Sequence, residues 1–234
     1  MPSATHFALI PAAGRGARME GEGPPKQYLD LNGHPVLYHA VAALCAVPRI
    51  ARVFVVLAPG DSEWNRHDWT SFRAKLSPLF CGGPSRAESV RNGLRAIATQ
   101  VEARDWILVH DAARPCLAPW HVDALIDAVG ADDAGGILAV PLTDTLKRGD
   151  DDGRISATLP RAALWQAQTP QMFRHGFLRN ALEAHPEVTD EAGAMEALGF
   201  RPRLVAADPT NIKVTYPLDL QLASWILQHR GEDQ

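Results

Sequence analysis

The run Phe7-Ala8-Leu9-Ile10 passes directly into Pro11-Ala12-Ala13-Gly14-Arg15-Gly16-Ala17-Arg18-Met19, and Lys26 follows in Pro24-Pro25-Lys26-Gln27-Tyr28-Leu29. A short, wholly apolar run ending in a glycine-bearing turn reads as a buried strand that empties into a loop. Two glycines so close together let the main chain take positive φ and approach a ligand with no Cβ in the way. Successive N–H groups in such a turn form an anion-binding concavity, and Arg15, Arg18 and Lys26 offer full charges to phosphate oxygens. An ordinary strand-to-helix turn with solvated arginines fits the same residues, and both readings stand at this point. The segment is not a Walker loop, because no Gly-Lys-Ser/Thr closes the required gap. Met19 also stands where a dinucleotide fingerprint needs its third glycine.

Further apolar runs at 53–58, 106–110, 136–141 and 203–207 join 7–11 as expected strands. Between them lie helical stripes: Leu37, Val41 and Leu44; Val90, Leu94 and Ile97; and Val122, Leu125, Ile126 and Val129. Pro119 and Gly130 bracket the third of these as a helix start and stop. Pro217 opens a last helix whose inner face is expected to hold Leu218, Leu222 and Trp225. Strands alternating with helices give an α/β chain with a mostly parallel sheet covered by helices. In such sheets ligands bind beyond the carboxyl ends of the strands, so the polar residues after each run are the ones that matter.

The chain has 234 residues, 46% of them hydrophobic and 21% charged, enough for one sizeable core, and 1–234 reads as a single domain. A net charge of −4 disfavours a general nucleic-acid binder, so the arginines count as local clusters. Cys45, Cys81 and Cys116 are odd in number, far apart and fit no zinc spacing, which favours a reducing compartment. No stretch approaches the ~20 apolar residues of a membrane span and no basic leader precedes the first strand, so a cytoplasmic protein is expected.

Two more loops carry chemistry. The third strand delivers His110-Asp111-Ala112-Ala113-Arg114-Pro115. Asp111 there suits a magnesium ion or a sugar hydroxyl and Arg114 a phosphate, while a mutual ion pair shaping the loop is the structural alternative. The turn Cys81-Gly82-Gly83-Pro84-Ser85-Arg86-Ala87-Glu88-Ser89-Val90 opens the second helix, with Ser85 and Glu88 spaced as a capping box. Its glycines suit close main-chain approach to a flat base. Finally, 141–148 and 154–159 flank Gly149-Asp150-Asp151-Asp152-Gly153 and read as two strands around a polar turn. An isolated hairpin is marginal in water, so this arm is expected to pack on something.

Taken together, Pro11-Ala12-Ala13-Gly14, Pro25-Lys26-Gln27-Tyr28, Gly82-Gly83 with Arg86 and Ser89-Val90, and 110–115 resemble the 2-C-methyl-D-erythritol 4-phosphate cytidylyltransferase family. The resemblance continues through Asp144-Thr145, Leu164-Trp165, Gln168-Thr169-Pro170-Gln171, Thr189-Asp190-Glu191-Ala192 and Asn211-Ile212-Lys213-Val214-Thr215. It implies a three-layer α/β fold like that of the nucleotide-diphosphate-sugar transferases, with a protruding β-arm at 141–163. It also implies magnesium dependence and transfer of CMP from CTP to methylerythritol phosphate, with loss of pyrophosphate. By position, Arg18 and Lys26 match the family's catalytic pair. Ala12, Ala13, Gly14, Arg15, Gly16, Gly83, Ser89 and Asp111 match nucleotide contacts, Asp111 being the one candidate on the metal side. Arg114, Thr145, Arg161, Thr189 and Lys213 match the sugar-phosphate contacts. The family's arm clasps a second subunit, so a homodimer is implied, in which Thr145 and Arg161 complete the neighbour's site.

The implied chemistry agrees with the residues. A phosphomonoester has a second pKa near about 6 and is mostly a dianion at neutral pH, so it attacks phosphorus with no base to remove a proton. What the reaction needs is charge compensation, which cations and Mg²⁺ supply. Pro84 departs from the family, which often has an acidic residue there, and leaves base selectivity to main-chain groups and Ser89. Two alternatives remain: ribitol 5-phosphate cytidylyltransferase, a relative with the same machinery, and a noncatalytic nucleotide-binding protein on the same scaffold.

Overall fold

The first apolar run forms a strand buried on both faces, with Ala8, Leu9 and Ile10 all without solvent exposure. In the computed structural model, which describes residues 4–14 and 24–230, it is the middle of the molecule. The elements in chain order are β1 (His6–Pro11), β2 (Asp30–Leu31), β3 (His34–Pro35), α1 (Val36–Ala46), β4 (Ile50–Val56), β5 (Leu76–Leu79), α2 (Arg86–Ala96), β6 (Trp106–Val109) and α3 (Pro119–Val129). They continue as β7 (Gly136–Pro141), β8 (Leu146–Gly149), β9 (Ile155–Leu159), β10 (Trp165–Arg174), α4 (His175–Ala184), α5 (Glu191–Ala197), β11 (Arg203–Ala206) and α6 (Pro217–His229).

Seven strands make one sheet in the order β11-β7-β10-β6-β1-β4-β5. Leu9 of β1 lies opposite Phe54 of β4 and Val109 of β6, both pairings parallel. Only β10 runs against its neighbours, β6 and β7. Successive residues of a strand face opposite sides. Ala8 and Ile10 therefore join Leu37, Val41 and Leu44 of α1 and Val122 and Leu125 of α3. Leu9 joins Val90 and Leu94 of α2, Leu178 of α4 and Met195 of α5 on the other face. These two apolar layers flank the sheet and give the three-layer α/β arrangement expected from the alternation of strands and helices.

All five expected strands and the first three helical stripes are present at nearly the expected bounds. Strands β5 and β10 and helices α4 and α5 were not among the expectations. In β10 the pairing with β7 shifts between Ala167 and Gln171, around Pro170, which has no N–H to give a ladder. The regular alternation that marks a strand is broken there.

The last helix needs a correction. Leu218, Leu222 and Trp225 were expected on its inner face, yet they are 70%, 48% and 59% exposed. The buried residues are Ala223 and Ile226, which pack with Leu31, Val36, Cys116 and Val214. Helix α6 carries two apolar stripes, and helical spacing identifies a stripe without saying which one meets the core.

Strands β8 and β9 form a separate antiparallel sheet, with Leu146 opposite Leu159. The expected arm is therefore a real hairpin, and Ile155 on it is 67% exposed. No helix among the described residues is long and apolar enough to cross a membrane.

Candidate active site

Three loops leave the carboxyl ends of β1, β6 and β5 and meet there. Past β1, Ala12 N–H still donates to the Val56 carbonyl (2.7 Å), which carries the first loop along the strand direction. Past β6, His110 N–H donates to Leu9 (2.9 Å) before the chain turns at Asp111. The glycine turn comes from beyond β5, where Gly82 N–H donates to Leu57 (2.8 Å). Together with 24–28 they enclose a cavity of about 270 Å³, lined among others by Ala12, Ala13, Gly14, Lys26, Gly83, Ser89, Asp111 and Lys213. Eight of the expected site residues thus converge on one space. A second cavity, about 300 Å³ and lined by Trp64, His67, Trp69 and Arg73, holds none of them.

Local bonds explain the shape. Gln27, buried beside Lys26, donates its side-chain N–H to the Ala12 carbonyl (2.7 Å) and pins 24–28 against the first loop. Ser85 caps α2, its Oγ accepting from Glu88 N–H (3.1 Å), as the spacing anticipated. Ser89 Oγ accepts from Gly83 N–H (3.1 Å), and its hydroxyl lies near the carbonyls of Ser85 (2.9 Å) and Gly83 (3.2 Å). One side chain therefore sets the orientation of both main-chain groups of Gly83. Pro84, also at the wall, offers no N–H to a ligand.

The floor is an ionic cluster. Asp111, 7% exposed, accepts from Arg86 Nε at 2.9 Å through Oδ1 and from Lys213 Nζ at 2.8 Å through Oδ2, with Arg114 Nε at 3.8 Å. Burial pushes its pKa up, but Arg86 first, then Lys213 and Arg114, outweigh that and hold it well below the usual carboxylate range. The pair expected between Asp111 and Arg114 is thus the loosest of three contacts. Arg114 instead donates to the Asn211 carbonyl (2.7 Å), which ties 110–114 to the segment bearing Lys213. Arg86 also grips the fully buried Glu191, Nη1 to Oε1 at 2.7 Å and Nη2 to Oε2 at 2.9 Å.

Both ring nitrogens of His110 are engaged within the protein. Thr169 Oγ1 accepts from Asp111 N–H (3.0 Å), so its own hydrogen is directed to His110 Nδ1 (3.0 Å), and His110 Nε2–H donates to the Arg114 carbonyl (3.1 Å). Burial lowers its pKa to about 4, and the ring is a neutral structural strut under the loop.

The remaining expected residues divide into two groups. Thr189 is exposed just before α5, and Thr145 and Arg161 are exposed at the base of the arm, away from the cavity lining. Arg161 donates to the Thr143 carbonyl. Arg15, Gly16 and Arg18 lie outside the described residues. Sequence reasoning assigned no role to Glu191, Gln171 or Asn211. Gln171 donates to Asp190 (3.0 Å) and accepts from Ala192 N–H (2.8 Å), and Asn211 donates to Gln168 and the Thr169 carbonyl. Their motifs were visible, but a buried amide is recognised as a strut only once both strands around it are placed.

Comparison with known proteins gives one family. The family model described as 2-C-methyl-D-erythritol 4-phosphate cytidylyltransferase matches residues 6–229. A protein of that name from Azoarcus sp. (strain BH72) is 62% identical over 225 residues, covering 96% of this chain and 95% of that protein. One from Dechloromonas aromatica (strain RCB) is 58% identical over 96% of this chain and 98% of its own. Among solved structures, a 4-diphosphocytidyl-2C-methyl-D-erythritol synthase superposes with a TM-score of 0.86 at 40% identity, covering 97% of this chain and 100% of that one. The cytidylyltransferase of Francisella tularensis gives 0.79 at 34% identity, over 95% of this chain and 99% of that one.

Proposed function

Because the chain belongs to the 2-C-methyl-D-erythritol 4-phosphate cytidylyltransferase family, we propose that it transfers CMP from CTP to the phosphate of 2-C-methyl-D-erythritol 4-phosphate in the non-mevalonate route to isoprenoids. The observation that carries this reading is the single cavity in which Ala12 to Gly14, Lys26, Gly83 and Ser89 meet the Asp111–Lys213 cluster. It sets a nucleotide-sized, glycine-walled space beside cations suited to a second phosphate.

An acceptor phosphate oxygen attacks the α-phosphorus of CTP, an O–P bond forms, the bond to the β-phosphate oxygen breaks, and pyrophosphate leaves. No proton has to be removed from the attacking dianion. This agrees with His110 being spent on the loop and with Asp111 being held as a charged acceptor and not a base. Lys26 and Arg18 offset the negative charge that builds on the α-phosphoryl oxygens, and Arg114 and Lys213 hold the acceptor phosphate. Gly83, whose main chain the Ser89 hydroxyl orients, lines the side of the cavity assigned to the base.

Magnesium dependence belongs to the same proposal. A hard cation of this kind is held by one or two carboxylates together with substrate phosphates and waters, and the ionised Asp111 at the cavity wall fits that donor set. Asp111 would hold such an ion, which would supply positive charge against the triphosphate.

A homodimer clasped through 141–163 is also proposed. It is supported by the hairpin having a sheet of its own, by the exposed Ile155, and by Thr145 and Arg161 standing away from their own chain's cavity. Free thiols at Cys45, Cys81 and Cys116 suit a reducing compartment and support action in the cytoplasm.

The test is a pyrophosphate-release assay with Mg²⁺ that crosses CTP, UTP and ATP against methylerythritol 4-phosphate and ribitol 5-phosphate. Turnover with CTP and methylerythritol phosphate is expected. No release, or preference for ribitol phosphate, overturns the assignment. In the same assay Lys26→Ala and Arg18→Ala are expected to lower kcat by about 10²-fold, and near-normal turnover refutes their role.

A further inference from the structure

We propose that Glu191 is a positioning residue which, through Arg86, fixes Asp111 and locks the nucleotide side of the site to the acceptor side; the inference rests on the functional reading above. Glu191 opens α5 and is fully buried. Both its oxygens are taken by the two terminal nitrogens of Arg86 at 2.7 and 2.9 Å. Arg86 opens α2 directly after the glycine turn, and its remaining nitrogen, Nε, holds Asp111 Oδ1 at 2.9 Å. The other oxygen of Asp111 receives Lys213 at 2.8 Å. One unbroken run of charge-assisted bonds therefore passes from α5 through α2 and the β6 exit to the segment carrying Lys213.

The endpoints are what make the run informative. Gly83 is three residues before Arg86, and Lys213 ends the run at Asp111, so the clamp ties the nucleotide wall to the cation assigned to the acceptor. A guanidinium with all three nitrogens engaged in this way is held in a fixed plane. Stability alone does not account for it, since replacing a buried ion pair by well-packed apolar residues is often neutral or favourable. Arg86 stands at the cavity wall, yet it is turned toward two carboxylates and kept from competing with Lys26 for phosphate.

The charge balance makes the proposal separable from plain electrostatics. Among the described residues, the ion pairs of Arg86, Arg114 and Lys213 are with Asp111 and Glu191, three cations to two carboxylates. Glu191→Gln keeps the shape and adds one net positive charge. A merely electrostatic role then lowers KM for CTP and leaves kcat alone, and a merely structural role lowers the melting temperature with kcat per folded protein unchanged. The clamp instead predicts a fall in kcat of about tenfold or more, approaching the ~10²-fold cost of misplacing a reacting group by 1 Å, with KM for CTP unchanged or lower.

The experiment measures initial rates of pyrophosphate release, melting temperature and CTP affinity for the wild type, Glu191→Gln, Arg86→Lys and the double variant. Arg86→Lys keeps the charge and loses the fork, so it serves as the second probe should Glu191→Gln fail to fold. Both single variants are expected to lose kcat as stated, and the double variant is expected to be no slower than the slower single one. A kcat within twofold of wild type in either folded variant, or losses that simply multiply in the double, overturns the clamp. A silent wild type refutes the functional assignment and the clamp with it. An active wild type with an equally active Glu191→Gln refutes the clamp alone.

Discussion

Gly82→Ala tests whether the glycine turn is placed by space alone. A Cβ built on Gly82 would sit 2.2 Å from the Cβ of Ala13, 2.8 Å from the Leu57 carbonyl oxygen and 3.2 Å from its carbon. Carbon atoms rest at roughly 3.5–4.0 Å, so the first contact is far inside the repulsive wall. Neither neighbour has a flexible end to swing aside: Ala13 has no rotamer, and the Leu57 oxygen is already held as acceptor for Gly82 N–H. Relief must come from the main chain, and the segments that give way carry Ala13 and Gly83, both in the cavity wall. Overpacking of this kind costs about 1–3 kcal/mol. For a chain of this length that is a fall in melting temperature of about 2–4 °C per kcal/mol. A wall displaced by about 1 Å also predicts kcat/KM lower by up to ~10²-fold. Adding Ala13→Gly removes the closest contact and leaves the Leu57 one, so the double variant should recover part of both losses. Thermal unfolding and pyrophosphate release measure the two effects. A Gly82→Ala enzyme that melts and turns over like wild type refutes the reasoning, as does a double variant that recovers nothing.

Other outcomes follow from the same geometry. Ser89→Ala removes the hydroxyl that orients Gly83 and is expected to lower kcat/KM for CTP about tenfold, matching a net hydrogen bond of roughly 1–1.5 kcal/mol; an unchanged value counts against that role. His110 has a folded pKa of about 4, below its unfolded value near 6.5, so the unfolded chain binds the extra proton between those limits. Its contribution is therefore complete above about pH 6.5 and lost as pH falls toward 4, by about 3 kcal/mol in all. Denaturant midpoints across pH 4–7 should show a steeper slope in wild type than in His110→Gln, and equal slopes contradict the assignment. Asp111→Asn leaves Arg86, Arg114 and Lys213 without their shared anion. A loss of about 3 kcal/mol is expected, the lower end for a broken buried pair because Lys213 is 43% exposed. A urea midpoint equal to wild type's rules that out.

Much of this protein was legible in one dimension. The run 7–10 followed by Pro11 to Gly14 located the central strand and the loop at its carboxyl end, because a fully buried strand needs an unbroken apolar run and a close-approach loop needs glycine. The stripes at Leu37-Val41-Leu44 and Val90-Leu94-Ile97 mark the faces by which α1 and α2 pack on the sheet, although α1 also buries Val36 on a second side against α6. The motifs around Lys26, Gly83, Asp111 and Lys213 were likewise visible, and they do line one cavity.

What escaped the sequence depended on distant partners. Helix α6 has two apolar stripes, and only the surface offered by Leu31, Val36 and Val214 decides that Ala223 and Ile226 turn inward while Trp225 faces out. Strand β10 hides its alternation around Pro170 and is recognised through its pairing with β6 and β7. The bond between Arg86 and Glu191 joins residues 105 positions apart, and Asp111 lies 25 positions beyond Arg86. Local composition encodes which segments become strands, helices and glycine turns, because propensity and periodicity act over a few residues. The tertiary structure alone decides which charges meet, since a buried ion finds its counter-ion wherever the packed sheet brings one within reach.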